Sequence, residues 1–461
     1  MQASNPAVHS PWYRSLNQAQ WSALVAANLG WTFDGFEVFA LILTVGVALH
    51  QLLDPAQFPL IPAYAGGVIA ITVFGWGLGG LIGGVLADYI GRKRMMILAI
   101  LAYSLMTGLS AFAWDWLSFA ALRFLVGVAI GSEWATGASI MAELWPDQAR
   151  GKGGALLQCG YAIGNILASG VWLVIGASGP DAWRYMFLIG VLPALVTFWI
   201  RRGIPESALW ERSSELRRAA RERQRRGTAL EGDDSSLARF TLVDLFADRA
   251  VRPRLIIALL MSLSVTIAFW GVSSWIPPYV SLIAATVGLP APRWAALAGL
   301  AFSSCGIIGY VTFGFLADAV GRKPITMLFY LLCLMVTPVV YLWAQGIYVL
   351  LLTVGVSGFF ILGIFAWLPI WLPELFPTRM RATAAAFCFN APRFISCIGP
   401  VIAGTLTVSL GGYGPAATIV GLFYILGLAA TPFIPETKGQ PLPEPISPAA
   451  PLAPKRRALT G

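Results

Sequence analysis

Apolar runs separated by short polar turns recur along the whole chain, and a run of about eighteen such residues crosses a hydrocarbon layer as a helix. The pattern predicts twelve helices, at about 21–49, 64–87, 95–113, 117–142, 152–177, 184–200, 255–283, 294–316, 325–343, 346–371, 382–408 and 415–434. One stretch breaks the rhythm. Residues 201–254 carry Arg217, Arg218, Arg221, Arg223, Arg225 and Arg226, then Glu231, Asp233 and Asp234. Such a segment cannot enter a bilayer. It reads as a basic linker, either a plain solvated connector or one whose arginines lie against anionic headgroups. The expected fold is an all-α membrane protein of 12 transmembrane helices in two six-helix halves, 21–200 and 255–434. A polar N-terminal segment, 1–20, and a Pro-rich tail, 435–461, flank them.

The halves share motifs. Gly84-Val-Leu-Ala-Asp88-Tyr-Ile-Gly91-Arg92-Lys93-Arg94 returns as Gly314-Phe-Leu-Ala-Asp318-Ala-Val-Gly321-Arg322-Lys323-Pro324, about half a chain later. Glu143-Leu-Trp-Pro146, with Arg150 after it, is answered by Glu374-Leu-Phe-Pro377 and Arg381; Pro205-Glu206-Ser207 is answered by Pro435-Glu436-Thr437. Three pairs at nearly one spacing point to duplicated halves. Each main motif puts an Asp at a helix end, a Gly where the chain turns tightly, and cations at the membrane surface. A charged turn of that kind can latch helices in one state and release them in another, which makes Asp88, Arg92, Glu143, Arg150, Asp318, Arg322, Glu374 and Arg381 candidate gating residues. Two like halves around a shared cavity is a transporter's architecture.

Composition narrows the class. Of 461 residues, 57% are hydrophobic and only 11% charged, too little polar surface for a soluble protein of this length. The net charge of +9 is topological. With loops placed alternately on two sides, only Arg184 and Arg293 fall on one side, and Arg123 and Arg393 fall within helices; every other Lys and Arg lies on the opposite side. That asymmetry puts both termini in the cytoplasm and leaves no nucleic-acid footprint. The five Cys, at 159, 305, 333, 388 and 397, lie in apolar segments without zinc-ligand spacing; they read as core residues. His9 and His50 are the only histidines. No metal, no cofactor and no nucleophile–base pair is expected, so the chain is not read as an enzyme. Residues 1–20 lack an apolar core, so no cleavable signal is expected and the first helix would target the chain.

Ionisable groups inside the membrane are costly and mark function by default. Asp34 lies roughly 20 Å into the first helix, near mid-membrane, and Glu37, three residues on, is expected to share its face. Arg123 lies in the fourth helix. Arg393 lies in the eleventh, with Asn390 and Ser396 on its stripe. A guanidinium fork matches a carboxylate, so Arg393 is a candidate substrate clamp; the competing role is a structural Arg that caps buried carbonyls or pairs with Glu37. Glu133 fits a gating pair better than a substrate contact. Gln158, Asn165, Trp270 and Trp275 are candidates to line the cavity, or else to pack helices.

These motifs are together similar to the hallmark set of the major facilitator superfamily, over nearly the whole chain. The resemblance implies the major facilitator fold and secondary active transport. Pro11-Trp-Tyr-Arg-Ser-Leu-Asn17, Asp34-Gly-Phe-Glu37, Gly131-Ser-Glu133-Trp, Ala142-Glu-Leu-Trp-Pro146 and Phe387-Cys-Phe-Asn390-Ala-Pro-Arg393 resemble the sialate:proton symporter group of sialic-acid and monocarboxylate importers. Glu37 stands where that group usually has Asp. Aromatic-acid:proton symporters share a similar acidic element. Sugar porters share Glu143 to Gly151 and Pro435 to Gly439, but their Gln-Gln pair is absent from Ser262-Leu-Ser-Val-Thr-Ile-Ala-Phe-Trp270. The Gly-Pro of drug antiporters is absent from the fifth helix. In sugar porters an Asp of the first helix and an Arg of the fourth are thought to carry proton coupling; Asp34 and Arg123 hold the matching places. The function expected is proton-coupled import of a small organic acid anion by alternating access, with Asp34, Glu37 and Arg123 coupling the proton and Arg393, Asn390, Asn165, Gln158 and Trp270 meeting substrate. The alternative is a proton-coupled sugar or polyol porter; a non-transporting sensor would need a signalling appendage. A monomer in a bacterial inner membrane is expected, with the anion, the proton and the bilayer its partners.

Overall fold

Polar residues extend the first helix beyond its apolar run. Asn17 accepts from the Gln20 N–H at 2.9 Å while the Gln20 side chain accepts from the Asn17 N–H at 2.8 Å, a reciprocal cap, so α1 spans Gln18–Leu52 rather than 21–49. The structure is a computed structural model that describes residues 16–144, 150–195, 245–249, 251–376 and 381–440. α2 (Ile61–Ile90), α3 (Arg92–Ser110), α4 (Trp116–Leu144) and α5 (Arg150–Ile175) follow, then α6 (Ala182–Leu195). The second half contains α7 (Arg252–Thr286), α8 (Ala291–Ala319), α9 (Arg322–Trp343), α10 (Ile347–Leu372), α11 (Thr383–Ser409) and α12 (Tyr413–Phe433). The fold is an all-α membrane fold of twelve helices in two sets of six.

Several helices of the second half are irregular where the apolar pattern shows no break. α7 passes through a 3-10 turn at Ser273–Trp275, just before Pro277 and Pro278. α9 ends in a π-turn, Val339–Trp343, after Pro338. α11 is broken after Asn390 by Ala391-Pro392 and resumes at Arg393. Proline removes a backbone donor and clashes with the preceding turn, so each irregularity has a local cause.

The repeated motif has one backbone shape in both halves. Gly91 and Gly321 precede α3 and α9 with φ of 102° and 128°, a region that side chains with a Cβ avoid. Within the first half, α2 and α4 approach to backbone contact: a Cβ at Gly79 would overlap the Val128 carbonyl. Small residues permit such packing in lipid. The halves meet along α2 against α11 and α5 against α8. On the face away from the basic turns, Trp114, Trp116, Trp343 and Tyr348 are exposed at helix ends, as interfacial aromatics are. There Arg184 donates to the Ala111 and Ala113 carbonyls at 2.5 and 3.1 Å, capping α3.

Candidate functional site

Between the halves lies a small cavity of about 30 Å³. Trp31 (α1), Trp76 (α2) and Tyr161 (α5) come from the first half, and Phe269 and Trp270 (α7) from the second. Their rings form a closed circuit. Trp31 to Trp76 is 5.9 Å between centroids, Trp76 to Trp270 6.1 Å, Trp270 to Phe269 5.3 Å, Phe269 to Tyr161 6.4 Å, and Tyr161 back to Trp31 5.2 Å. Most of these contacts are edge-to-face, the favoured geometry of aromatic pairs. Phe389 of α11 joins Trp31 at 6.0 Å, so the aromatic contacts of this shell cross between the halves at three points.

Charge enters this shell through Arg393. Its Nη1 donates to the Phe389 carbonyl, one turn back across the Pro392 break. The guanidinium lies 4.1 Å from the Phe389 ring and 4.5 Å from the Trp76 ring, in cation–π range of both. Its Nε is buried and has no hydrogen-bond partner among the described residues. The same holds for Trp76 Nε1, the Tyr161 hydroxyl and Gln158 Oε1. All four side chains line the cavity. The cavity thus has an apolar body and a small donor-rich pole.

Asp34 and Glu37 separate. Three residues advance a helix by about 300°, leaving an offset of about 60°, enough to send neighbouring carboxylates to different partners. Asp34 is fully buried and acts electrostatically on Arg393 and Tyr161, the cavity's pole. Glu37 turns into the first half, where Oε1 meets Arg123 Nη1 at 2.5 Å. Arg123 Nη2 donates to Ser110 Oγ at 2.6 Å, and its guanidinium lies 4.5 Å from the Phe187 ring. The carboxylate beside Arg123 is therefore Glu37, where the sugar-porter resemblance suggested Asp34.

Of the other proposed contacts, Gln158 and Trp270 line the cavity. Asn165 does not: with its amide turned to satisfy both ends, it donates to the Gly35 and Tyr161 carbonyls at 3.1 and 3.2 Å, tying α5 to α1. Asn390 Nδ2 donates to the Ala386 carbonyl at 3.1 Å, and its amide faces Gly80 of α2. Trp275 packs on Tyr413 at 5.7 Å, away from the cavity lining.

At the basic face, Asp318, Arg322 and Glu374 come together. Arg322 meets Asp318 at 3.0 Å and forks onto Glu374 at 2.9 and 3.1 Å. Thr437 donates to Glu374. Glu436 accepts from the backbone N–H groups of Arg322, Lys323, Thr437 and Lys438 at 2.8–3.0 Å. Burial pushes its carboxyl up, but these four donors outweigh it and hold it below the usual range. The side chains of Asp88, Arg92, Glu133, Glu143, Arg150 and Arg381 lie outside the described residues, so the corresponding cluster of the first half is not described.

Residues 61–445 match the family described as sugar (and other) transporter. The sialic acid transporter NanX of Escherichia coli (strain K12) is 28% identical over 410 residues, 87% of this chain and 90% of that protein. The cis,cis-muconate transport protein of Acinetobacter baylyi is 27% identical over 389 residues, 84% of this chain and 89% of that protein. A solved structure of the xylose transporter XylE from E. coli, in a partially occluded inward open conformation, matches with a TM-score of 0.70 at 20% identity, covering 92% of this chain and all of that one. At that identity the likeness shows the fold.

Proposed function

This chain belongs to the sugar (and other) transporter family of the major facilitator superfamily, whose members are transporters and not enzymes, and we propose that it is a proton-coupled importer of a small organic acid anion. The observation that carries this reading is Arg393, a buried cation at the pole of a cavity shared by both halves, whose Nε has no hydrogen-bond partner among the described residues. A buried charge of this kind is retained where it meets a ligand or a partner. The relatives named for sialic acid and cis,cis-muconate both carry acids.

Coupling follows from charge. Asp34 already acts on Arg393. When a substrate carboxylate docks on the guanidinium, two anions face one cation in a cavity walled mostly by aromatic side chains. Burying an unmatched charge is expensive, so the occluded state forms when a proton neutralises Asp34, and anion and proton cross together. Glu37 needs no proton for this, because Arg123 already matches its charge; that pair holds α1 to α4. The halves then rock about α2–α11 and α5–α8 to change access. The Asp318–Arg322–Glu374 cluster, with its counterpart at Asp88 and Arg92, latches the cytoplasmic face in the outward-open state. Both termini lie on that face of a bacterial inner membrane, by the Lys/Arg asymmetry, and the transporter acts as a monomer. A sugar reading finds few partners: the cavity's pole offers too few acceptors for a ring of hydroxyls.

Asp34→Asn tests the coupling. The variant is expected to exchange substrate across proteoliposomes but to lose accumulation driven by a pH gradient. Wild-type accumulation in Asp34→Asn would sink the role given to this carboxylate.

A further inference from the structure

Two charges of opposite sign meet at the cavity, and one neutral side chain stands between them. We propose that Tyr161 makes proton binding and anion binding depend on each other: its hydroxyl donates to Asp34 while that carboxylate is ionised, and turns to the substrate carboxylate on Arg393 once Asp34 holds a proton. The proposal rests on the organic-acid reading above and adds the residue that joins its two sites.

Three observations carry it. The first is place. A Cβ at Gly35, next to Asp34, would overlap the Tyr161 carbonyl, and Asn165 donates to the carbonyls of both Gly35 and Tyr161, so α5 is pinned to α1 at this level. The Tyr161 ring packs on Trp31 of α1 and on Phe269 of the second half, and it lines the cavity with Arg393. The phenol thus sits where Arg393 and Asp34 both act on it. The second is the hydroxyl itself. It is buried and has no hydrogen-bond partner among the described residues, a costly condition that an arriving partner relieves. The third is what it can do. Of the four such groups around the cavity, Arg393 Nε and Trp76 Nε1 only donate and Gln158 Oε1 only accepts, whereas the hydroxyl does both.

A phenol has one proton to donate. Ionised Asp34 only accepts, and claims it. Protonated Asp34 gives its own O–H to the phenol oxygen, and rotation about the C–O bond aims the phenol proton at an anion on Arg393 while the ring stays packed. Tyr161 keeps its proton throughout; the proton that travels is the one on Asp34. At about 30 Å³ the cavity is closed around little more than the volume of a water, so the anion enters when the halves part and meets these groups then. The other titratable groups near Tyr161 among the described residues are Tyr310 of α8 and Cys159 of α5, neither of which changes charge where a carboxyl titrates. The cavity faces of α2, α7 and α10 are apolar or aromatic, and Glu37 is turned to Arg123.

The test is equilibrium binding of radiolabelled sialic acid, cis,cis-muconate, lactate and benzoate to the full-length protein in nanodiscs. Each is measured in acid buffer, where Asp34 is protonated, and in alkaline buffer, where it is ionised, and each acid is counted as its ionised fraction. The wild type is expected to bind its acid more tightly in acid buffer, and Asp34→Asn to bind it equally in both. Tyr161→Phe keeps the ring and removes the hydroxyl. It is expected to weaken binding about tenfold in acid buffer, the worth of one hydrogen bond to a charge, and by less than about twofold in alkaline buffer. In the Asp34→Asn background the same change is expected to cost about tenfold in both buffers. An equal loss in both buffers with Asp34 present would make the hydroxyl a plain substrate contact, and no loss in either would make it structural. Each outcome overturns the proposal and leaves the organic-acid reading intact. A pH dependence that is missing from the wild type, or that survives in Asp34→Asn, overturns it too, whether or not Tyr161→Phe folds. A wild type that binds none of the four acids in either buffer would overturn the organic-acid reading and the proposal with it.

Discussion

Arg123 and Arg393 are both buried, and they differ in what meets them. Arg123 has Glu37, Ser110 and two phenyl rings. Arg393 has one backbone carbonyl, two aromatic faces and the field of Asp34. The first is a closed structural pair; the second leaves donor capacity for a ligand. A buried pair broken from one side strands a charge and costs about 3–5 kcal/mol, whereas an apolar replacement of both partners is often neutral. Glu37→Gln and Arg123→Met are therefore each expected to lower the melting temperature in detergent, and the double variant to recover most of the loss. Single variants that melt with the wild type would contradict a structural pair. The charges themselves were legible in the sequence, since any Asp, Glu or Arg in an apolar run stands out. Their pairing was not. Asp34 and Glu37 differ by about 60° around α1, and only the packed neighbours decide which of them faces Arg123. Asn165 stood open between two roles for a related reason: a buried amide one turn from Tyr161 is equally compatible with a cavity and with the α1–α5 contact it makes.

Helix α2 is built to approach a neighbour on each side. Its Gly79 side meets α4 within the first half, and its Gly80 side meets Asn390 of α11 in the other half. The first contact stays within one half; the second must slide if the halves rock. A Cβ at Gly80 would overlap the Asn390 amide, while Gly46 of α1 has open space around it. Overpacking costs about 1–3 kcal/mol, so Gly80→Ala is expected to slow transport about tenfold with substrate binding retained, and Gly46→Ala to transport as the wild type does. Equal rates in the two variants would remove α2–α11 from the moving interface. The glycine-rich run was visible as a close-packing signal, but not which neighbour each glycine served. The aromatic circuit was the larger omission. Trp31 stands one turn before Asp34, and Trp76 is a single large side chain set between Gly75 and Gly77. Both were signals, yet the rings reach the cavity from seven helices, and no local spacing encodes that convergence. The breaks at Ser273–Trp275 and Pro392 were likewise hidden, because the apolar pattern runs through them.

At the scale of the molecule, the duplicated motif and the run of apolar segments are enough to specify two six-helix halves from the sequence. The reason is physical: lipid forces every spanning backbone into helices, so hydropathy alone recovers the element count, and a repeat at half the chain supplies the symmetry. What remains is the chemistry between the halves. If that cavity moves an organic anion with a proton, adding such an acid to lightly buffered proteoliposomes must move protons in step with the acid. The decisive measurement is the internal pH on adding benzoate or xylose to liposomes carrying wild-type protein or Arg393→Ala, with passive permeation subtracted from protein-free liposomes. The account predicts protein-dependent proton entry with benzoate in the wild type, none with xylose, and none with either in Arg393→Ala. Proton entry with xylose alone, or an Arg393→Ala trace that overlays the wild type, would contradict it.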